Sequence, residues 1–271
     1  MSIIWVTTLV ITLIGILVGA GLVFTSRKFH VEVDERETAV REVLPGNNCG
    51  ACGYAGCDAV AAAIVKGEAP VNACPVGGVP VTKAVGEIMG VSAEAPERKF
   101  AFVRCKGSCA VTKNQGNYVG VQDCRSAALG GIRTADCDYG CLGLGSCVRA
   151  CPENAIRIID GVAVVNRTRC IGCGLCTKAC PKGLIELVPE GQHVIVQCMN
   201  CDKGASVRNV CAAGCLGCTL CTRQCEYDAI HVNNNLAKID YTKCTQCGKC
   251  AEKCPAKVIL PPVGSAVSKE A

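Results

Sequence analysis

Cysteines recur in four groups between residues 137 and 254, and these groups constrain what the chain can fold into. Two groups share one spacing and end in Cys-Pro: Cys170-x2-Cys173-x2-Cys176-x3-Cys180-Pro181 and Cys244-x2-Cys247-x2-Cys250-x3-Cys254-Pro255. Each follows another group of four cysteines. The first of these is more widely spaced (Cys137, Cys141, Cys147 and Cys151), and the second has the same x2, x2, x3 spacing without the proline (Cys215, Cys218, Cys221 and Cys225). A shift of 74 residues places eight cysteines of the first half on eight of the second. Eight matches at one offset indicate an internal duplication.

The C-x2-C-x2-C-x3-C-P spacing is typical of proteins that bind two [4Fe–4S] clusters. In this pattern three close thiolates hold one cluster and the fourth reaches its neighbour. Disulfides are disfavoured because the chain is long and its cysteines sit in CxxC triplets rather than one per loop. Zinc is the main alternative, since pairs of CxxC motifs also build four-cysteine zinc sites.

Composition supports iron–sulfur binding and argues against nucleic acid as a partner. The 271 residues include 26 cysteines and 30 glycines, and only 4% are aromatic. A chain with so little apolar core depends on its clusters to fold. The formal charge of +5 is misleading, because each cluster with four thiolates adds a charge of about −2. We therefore expect no nucleic-acid binding.

Residues 3–24 contain no charged side chain, and this segment is long enough for one transmembrane helix. A signal peptide would need a basic start and a small-residue cleavage site, and both are missing. Arg27 and Lys28 follow directly, so the positive-inside rule predicts a single-pass protein of the cell (cytoplasmic) membrane with its soluble part in the cytoplasm.

A fifth cysteine group of different design follows the apolar segment. Residues 34–44 read as a short helix that stops at Pro45-Gly46. The cysteines after it suit one self-contained [4Fe–4S] site, with a zinc knuckle as the alternative; they are Cys49, Cys52, Cys57 and Cys74. Residues 59–65 and 84–89 look helical, and residues 91–99 resemble a linker.

The order of these motifs resembles a known family. An N-terminal span, NNCGACGYAGC…NACP, VRCKGS…YVGVQDCRSA and CDYGCLGLGSCVRACPENAI are similar to the B-type subunit of the Rnf-type ion-translocating ferredoxin:NAD oxidoreductase, in its longer form with a duplicated ferredoxin module. The resemblance implies an electron relay that takes electrons from reduced ferredoxin, with flavin-carrying and NAD-binding partner subunits and coupled Na+ or H+ transport. A membrane-tethered polyferredoxin that serves another reductase or hydrogenase is the alternative.

With the resemblance, the exchange rule for paired clusters gives five hypothetical ligand sets. They are Cys49, Cys52, Cys57 and Cys74; Cys137, Cys141, Cys147 and Cys180; Cys151, Cys170, Cys173 and Cys176; Cys215, Cys218, Cys221 and Cys254; and Cys225, Cys244, Cys247 and Cys250. The second set is irregular, because Leu144 stands where the duplicate has Cys218. No catalytic side chain is expected in a relay of this kind.

Six cysteines fall outside these sets: Cys105, Cys109, Cys124, Cys198, Cys201 and Cys211. They are either buried structural thiols or the source of a sixth cluster between the modules. We thus predict five [4Fe–4S] clusters, or six, on an α+β fold. Its expected parts are a transmembrane anchor (1–26), a linker helix with a four-cysteine [4Fe–4S] domain (27–95), two tandem bacterial two-cluster ferredoxin-like modules (96–190 and 191–262) and a flexible tail (263–271).

Overall fold

The computed structural model describes residues 2–28, 34–92, 97–113 and 118–262, so the tail expected at 263–271 lies outside the described residues. The chain begins with helix α1, Ser2–Lys28. Residues Ile4–Thr25 of this helix are long and apolar enough to cross a membrane, and none of this segment is buried by the other residues that the structure describes. The expected span is therefore present as one continuous helix.

A small helical domain follows. It consists of α2 (Glu35–Val43), α3 (Cys57–Val65) and α4 (Gly78–Met89). The Asp34 carboxylate caps α2 by accepting a 2.9 Å hydrogen bond from the backbone N–H of Arg36. Val40, Val60 and Val85, one from each helix, form a fully buried core. Both α3 and α4 begin earlier than the sequence pattern predicts.

The first module is built on two antiparallel strand pairs. Strand β1 (Lys99–Val103) pairs with β4 (Ile185–Pro189), and β2 (Ile156–Ile159) forms a hairpin with β3 (Val162–Val165). Asp160 and Gly161 turn the hairpin with positive φ angles, as a two-residue type I′ turn requires. Short helices lie between these strands: α5 (Cys124–Leu129), α6 (Ser146–Arg149) and α7 (Leu175–Ala179).

The second module has the same arrangement of elements, except that one of the two strand pairs is reduced to a single bridge. Its hairpin joins β5 (Ile230–Asn233) to β6 (Leu236–Ile239), and its helices are α8 (Gly204–Val210), α9 (Leu220–Arg223) and α10 (Lys249–Glu252). A single bridge between Val196 and Ile259 stands where the first module pairs Val103 with Ile185. The duplication predicted from the cysteines is therefore also a duplication of the backbone plan.

The cores of both modules are partly made of cysteine. Cys147, Cys170 and Cys176 belong to the buried core of the first module, and Cys215, Cys221 and Cys250 to that of the second. Within the described ranges, the strands form three two-stranded sheets, and a sheet of two strands has little stability of its own. The clusters expected on these cysteines would therefore contribute to folding.

We expect anaerobic removal of iron by a chelator to unfold both modules, because their cores lose the groups that fill them. Far-ultraviolet circular dichroism should show loss of the strand signal, while α1 retains helical signal in detergent. Unchanged spectra after complete removal of iron would contradict this dependence.

Candidate metal centres

Three of the four cysteines of the small domain lie close to the start of α3. Cys57 begins that helix, and its backbone N–H donates to Asn48 Oδ1 at 2.8 Å. Burial raises the pKa of the Cys74 thiol, and the nearby Cys52 and Cys57 thiolates raise it further. The expected neighbours Cys52, Cys57 and Cys74 therefore lie close together.

One site of the first module gathers the cysteines that the sequence groups together. Burial raises the pKa of Cys176 to about 12, with further contributions from Cys170, Cys173 and Cys151. Backbone N–H groups donate to two of these sulfurs at 3.3 Å: Ala101 to Cys170 and Ala155 to Cys151. The set Cys151, Cys170, Cys173 and Cys176 is thus held by β1, α7 and the turn before β2.

The other site of the first module differs from the expected set. The cysteines that line its cavity are Cys124, Cys141, Cys147 and Cys180. Burial raises the pKa of Cys147 to about 12, and the Cys141, Cys124 and Cys180 thiolates add to the increase. The structure does not bring Cys137 into this set, because Cys124 occupies the fourth position.

The segment before α6 explains why Cys124 reaches this position. Asp123 caps α5 by accepting a 2.8 Å hydrogen bond from the Ser126 backbone N–H. The Ser146 hydroxyl accepts from the Cys124 backbone N–H at 2.7 Å and donates to Asp123 Oδ1 at 2.8 Å. These bonds fasten the start of α5 beside α6. The sequence carries one signal for this change, at Leu144. A leucine at an expected ligand position implies that a cysteine from elsewhere in the chain takes its place.

Cys137 instead lines a cavity between the two modules. Three of the unassigned cysteines share it: besides Cys141, which also lines the preceding cavity, its cysteines are Cys105, Cys137, Cys198 and Cys211. Burial raises the pKa of Cys105 and of Cys198 to about 11 each, and the Cys137 thiolate contributes to both. We call this set the junction site.

Close packing of backbone shapes the junction site. A side chain on Gly107 would meet the sulfurs of both Cys105 and Cys211, and one on Gly214 would overlap Val207. The backbone N–H groups of Asn200 and Cys215 donate to Cys198 Sγ at 3.4 and 3.3 Å, and the buried Asn200 side chain donates to Cys137 Sγ at 3.5 Å. The cavity therefore provides hydrogen-bond donors to the sulfurs of Cys137 and Cys198.

The second module gathers both of its expected sets. One cavity is lined by Cys215, Cys218, Cys221 and Cys254, and another by Cys225, Cys244, Cys247 and Cys250. Burial raises the pKa of Cys250 to about 12, and the Cys244 and Cys221 thiolates contribute most after burial. Cys218 and Cys247 are the exposed members of the two sets.

Cys109 and Cys201 line none of the four cavities described above. Cys109 is exposed at the surface beside the hairpin turn at Gly161. Cys201 is half-buried and its thiol is 3.6 Å from the Met199 carbonyl oxygen.

Contacts link each of the six sites to the next. The Cys49 thiolate of the small domain is close enough to Cys173 to raise its pKa, and Cys147 does the same to Cys176. At the junction site, Cys141 lies beside Cys105 and lines the same cavity, and it contributes to the pKa of the Cys105 thiol.

The series continues from the junction site into the second module. The Cys215 backbone N–H donates to Cys198 Sγ, and the Cys221 thiolate lies near Cys250. One end of the series is the small domain that follows α1, and the other is the site that contains Cys244. Each site therefore adjoins the next.

In the part of the chain that the structure describes, no three Cys, His, Asp or Glu side chains converge as closely as a single metal ion needs. Thiolates around one zinc ion lie about 2.3 Å from the metal, whereas a four-iron core separates its thiolates more widely. His193 contacts Arg167, and His231 lies beside Asp228.

Three family models match the cysteine-containing segments. Residues 44–76 match the FeS family of Fe–S cluster segments, residues 136–184 a 4Fe-4S dicluster domain, and residues 237–260 a 4Fe-4S binding domain. The matches cover the small domain and parts of both modules.

Characterised relatives align along most of the chain. It is 47% identical to the B-type subunit of the Na(+)-translocating ferredoxin:NAD(+) oxidoreductase complex of Acetobacterium woodii, over 90% of this chain and 74% of the relative. It is 43% identical to the B-type subunit of the ion-translocating oxidoreductase complex of Methanosarcina acetivorans, over 91% of this chain and 94% of the relative. The B-type subunit of the proton-translocating ferredoxin:NAD(+) oxidoreductase complex of Clostridium ljungdahlii is also 43% identical, over 92% and 89% of the two chains. The chain belongs to the family of B-type subunits of the Rnf-type ion-translocating oxidoreductase complexes.

Proposed function

We propose that this subunit relays electrons from reduced ferredoxin through six [4Fe–4S] clusters toward NAD+ reduction that is coupled to Na+ or H+ transport. The observation that carries the proposal is the series of six neighbouring cysteine sites. A [4Fe–4S] cluster, when bound, exchanges one electron without making or breaking a covalent bond. A continuous series of such sites suits a relay.

The residues present fit this cofactor. Each of the six sites offers four cysteines, and a thiolate must be deprotonated to bind iron. Backbone N–H groups donate to sulfurs at several sites, as those of Ala101, Ala155 and Ala229 do to Cys170, Cys151 and Cys225. Such donors stabilise thiolates where burial alone would favour thiols.

The proposed ligand assignment changes the sequence-based one at a single site and adds another. Cys124 replaces Cys137 beside Cys141, Cys147 and Cys180. Cys137 joins the junction site with the ligand set Cys105, Cys137, Cys198 and Cys211. The other four sets stay as the sequence predicts. Cys109 and Cys201 have no ligand role in this assignment.

The series suggests a direction for the relay. The small domain follows α1 directly in sequence, so its site lies on the membrane side of the protein. The site that contains Cys244 lies at the other end and includes an exposed thiol, Cys247. We propose that ferredoxin delivers electrons from the cytoplasm at this outer end. The small domain then passes them to flavin-carrying partner subunits in the membrane.

Purification of the complex and reduction by ferredoxin test this function. The full chain should copurify with flavin-containing membrane subunits, and reduced ferredoxin should bleach its clusters before NAD+ is reduced. Purification without flavin partners, with the clusters still reducible, would favour a polyferredoxin that serves another enzyme. Clusters that ferredoxin cannot reduce would overturn the proposal.

Ser146→Ala tests the assignment of Cys124. The change removes the hydroxyl that links the Cys124 backbone to Asp123. Supporting hydrogen bonds around metal ligands are worth ~10–100-fold in metal affinity, so a chelator should remove about four iron ions sooner than in the wild type. Ser126→Ala is the matched control, because the Ser126 hydroxyl bonds Asp123 Oδ2 rather than the Cys124 backbone. Equal rates of iron loss in the two variants would contradict the assignment.

A further inference from the structure

Gln246 lies within the last cysteine group and departs from the pattern of the others. In each of the four groups between residues 137 and 254, the second residue after the cysteine that opens the tight turn has a positive φ angle. In three of them it is glycine: Gly143, Gly172 and Gly217, with φ of 70°, 68° and 63°. Gln246 holds φ at 61°. A residue with a bulky side chain is strained at this φ angle, so interactions of the Gln246 side chain are expected to compensate for the strain.

The hydrogen bonds of Gln246 orient its amide group. Its Oε1 accepts from the backbone N–H groups of His193 and Val194, both at 2.7 Å. Because a backbone N–H can only donate, these bonds fix which amide atom is oxygen. The Nε2 group then faces Cys244 Sγ at 3.1 Å and also donates to Gln192 Oε1.

The first module makes the equivalent contact with backbone alone. The Ala101 N–H donates directly to Cys170 Sγ at 3.3 Å. Cys170 corresponds to Cys244 in the duplication. Ala101 corresponds to Val194, because Arg104 N–H bonds the Leu184 carbonyl as Gln197 N–H bonds that of Val258, each at 2.8 Å.

In the second module, the side-chain amide of Gln246 therefore lies between the backbone N–H of Val194 and the sulfur of Cys244. In the first module a side chain at Gly172 would overlap the Lys99 carbonyl, so the backbone itself fills this space. In the second module, the segment at Gln192 leaves room for Gln246. The Val194 N–H donates to the glutamine, and the glutamine donates to Cys244.

We infer that Gln246 is a positioning residue that sets the reduction potential of the outermost cluster, at Cys225, Cys244, Cys247 and Cys250, through its hydrogen bond to Cys244 Sγ. The inference rests on the proposed electron relay. Reduction adds negative charge to a cluster and its thiolates, and a donor to sulfur stabilises that charge. Gln246 thus raises the potential of the site where electrons enter, and its side chain ties that site to the segment joining the modules.

Two substitutions separate the donor from the rest of the side chain. Gln246→Glu keeps an acceptor for His193 and Val194 but cannot donate to sulfur at neutral pH. Gln246→Gly removes the amide and relieves the positive φ angle, so it should not impair folding, and the Val194 N–H, which bonds the glutamine rather than Cys244, does not replace the lost donor. Gln224→Glu is the charge-matched control, because Gln224 lines the same cavity.

The full chain with its anchor is titrated potentiometrically and followed by electron paramagnetic resonance, with iron content measured for each variant. We expect Gln246→Glu and Gln246→Gly each to move one titrating component to lower potential with full iron content. The shift for Gln246→Glu should exceed that for Gln224→Glu.

Two results would overturn the inference while leaving the relay intact. One is an unchanged potential in Gln246→Gly with full iron content, and the other is a Gln246→Glu shift no larger than that of Gln224→Glu. Loss of all cluster signals from the wild-type chain would instead refute the proposed function.

Discussion

Cys198→Ser is expected to remove one cluster and to interrupt electron flow between the two modules. The Cys198 thiol lines the junction site and accepts hydrogen bonds from the backbone N–H groups of Asn200 and Cys215. Serine retains the size of the side chain but is a poor ligand for iron. The variant should therefore lose ~4 iron ions per chain and nearly all ferredoxin-dependent NAD+ reduction.

The location of the loss distinguishes this variant from a general folding defect. Clusters of the second module should still be reduced by ferredoxin, because they precede the junction site in the series. Clusters of the first module should no longer be reduced at the same rate. Cys201→Ser is the matched control, since Cys201 lies three residues further on and lines none of the four cavities. Wild-type iron content and activity in Cys198→Ser would refute the junction site.

Cys124→Ser is expected to remove a different cluster, with a loss of ~4 iron ions per chain. Cys124 lines the cavity with Cys141, Cys147 and Cys180, and its thiolate contributes to the raised pKa of Cys147. The sequence pattern alone assigns Cys137 to this place and leaves Cys124 as either a structural thiol or a ligand of a sixth cluster between the modules. Which cluster is lost, together with the iron content of the purified variant, therefore separates the two assignments.

Two further variants complete this test. Cys137→Ser should also lose ~4 iron ions, but from the junction site. Its electron paramagnetic resonance spectrum should lack a different component from that missing in Cys124→Ser. Cys109→Ser is the control, because Cys109 is exposed at the surface. If Cys124→Ser keeps its iron and only Cys137→Ser loses it, the sequence-based set is the correct one.

Local spacing was enough to predict the tight cysteine groups. The turns that carry Cys170 to Cys176 and Cys244 to Cys250 are set by neighbours two and three residues apart, so the chain has little freedom to arrange them otherwise. The transmembrane-length helix and α2 follow from similarly local signals, an uncharged apolar segment and an Asp34 cap.

The junction site could not be predicted in this way. Cys105 and Cys211 are far apart in sequence, and they meet because the segment after Cys105 pairs with the end of α8, where Thr112 forms a bridge with Cys211. The duplication did pair Cys137 with Cys211, but an offset between two residues does not reveal that both face one cavity. Cys124 was missed for the same reason, since its place depends on the Asp123–Ser146 contact across α5 and α6.

Iron, acid-labile sulfide and zinc in the anaerobically purified full chain test the central claim most directly. Six sites of four cysteines predict ~24 iron ions and a similar amount of sulfide per chain, with little zinc. About 20 iron ions would leave one site without a cluster and contradict the continuous series. Zinc with little sulfide would contradict the electron relay itself.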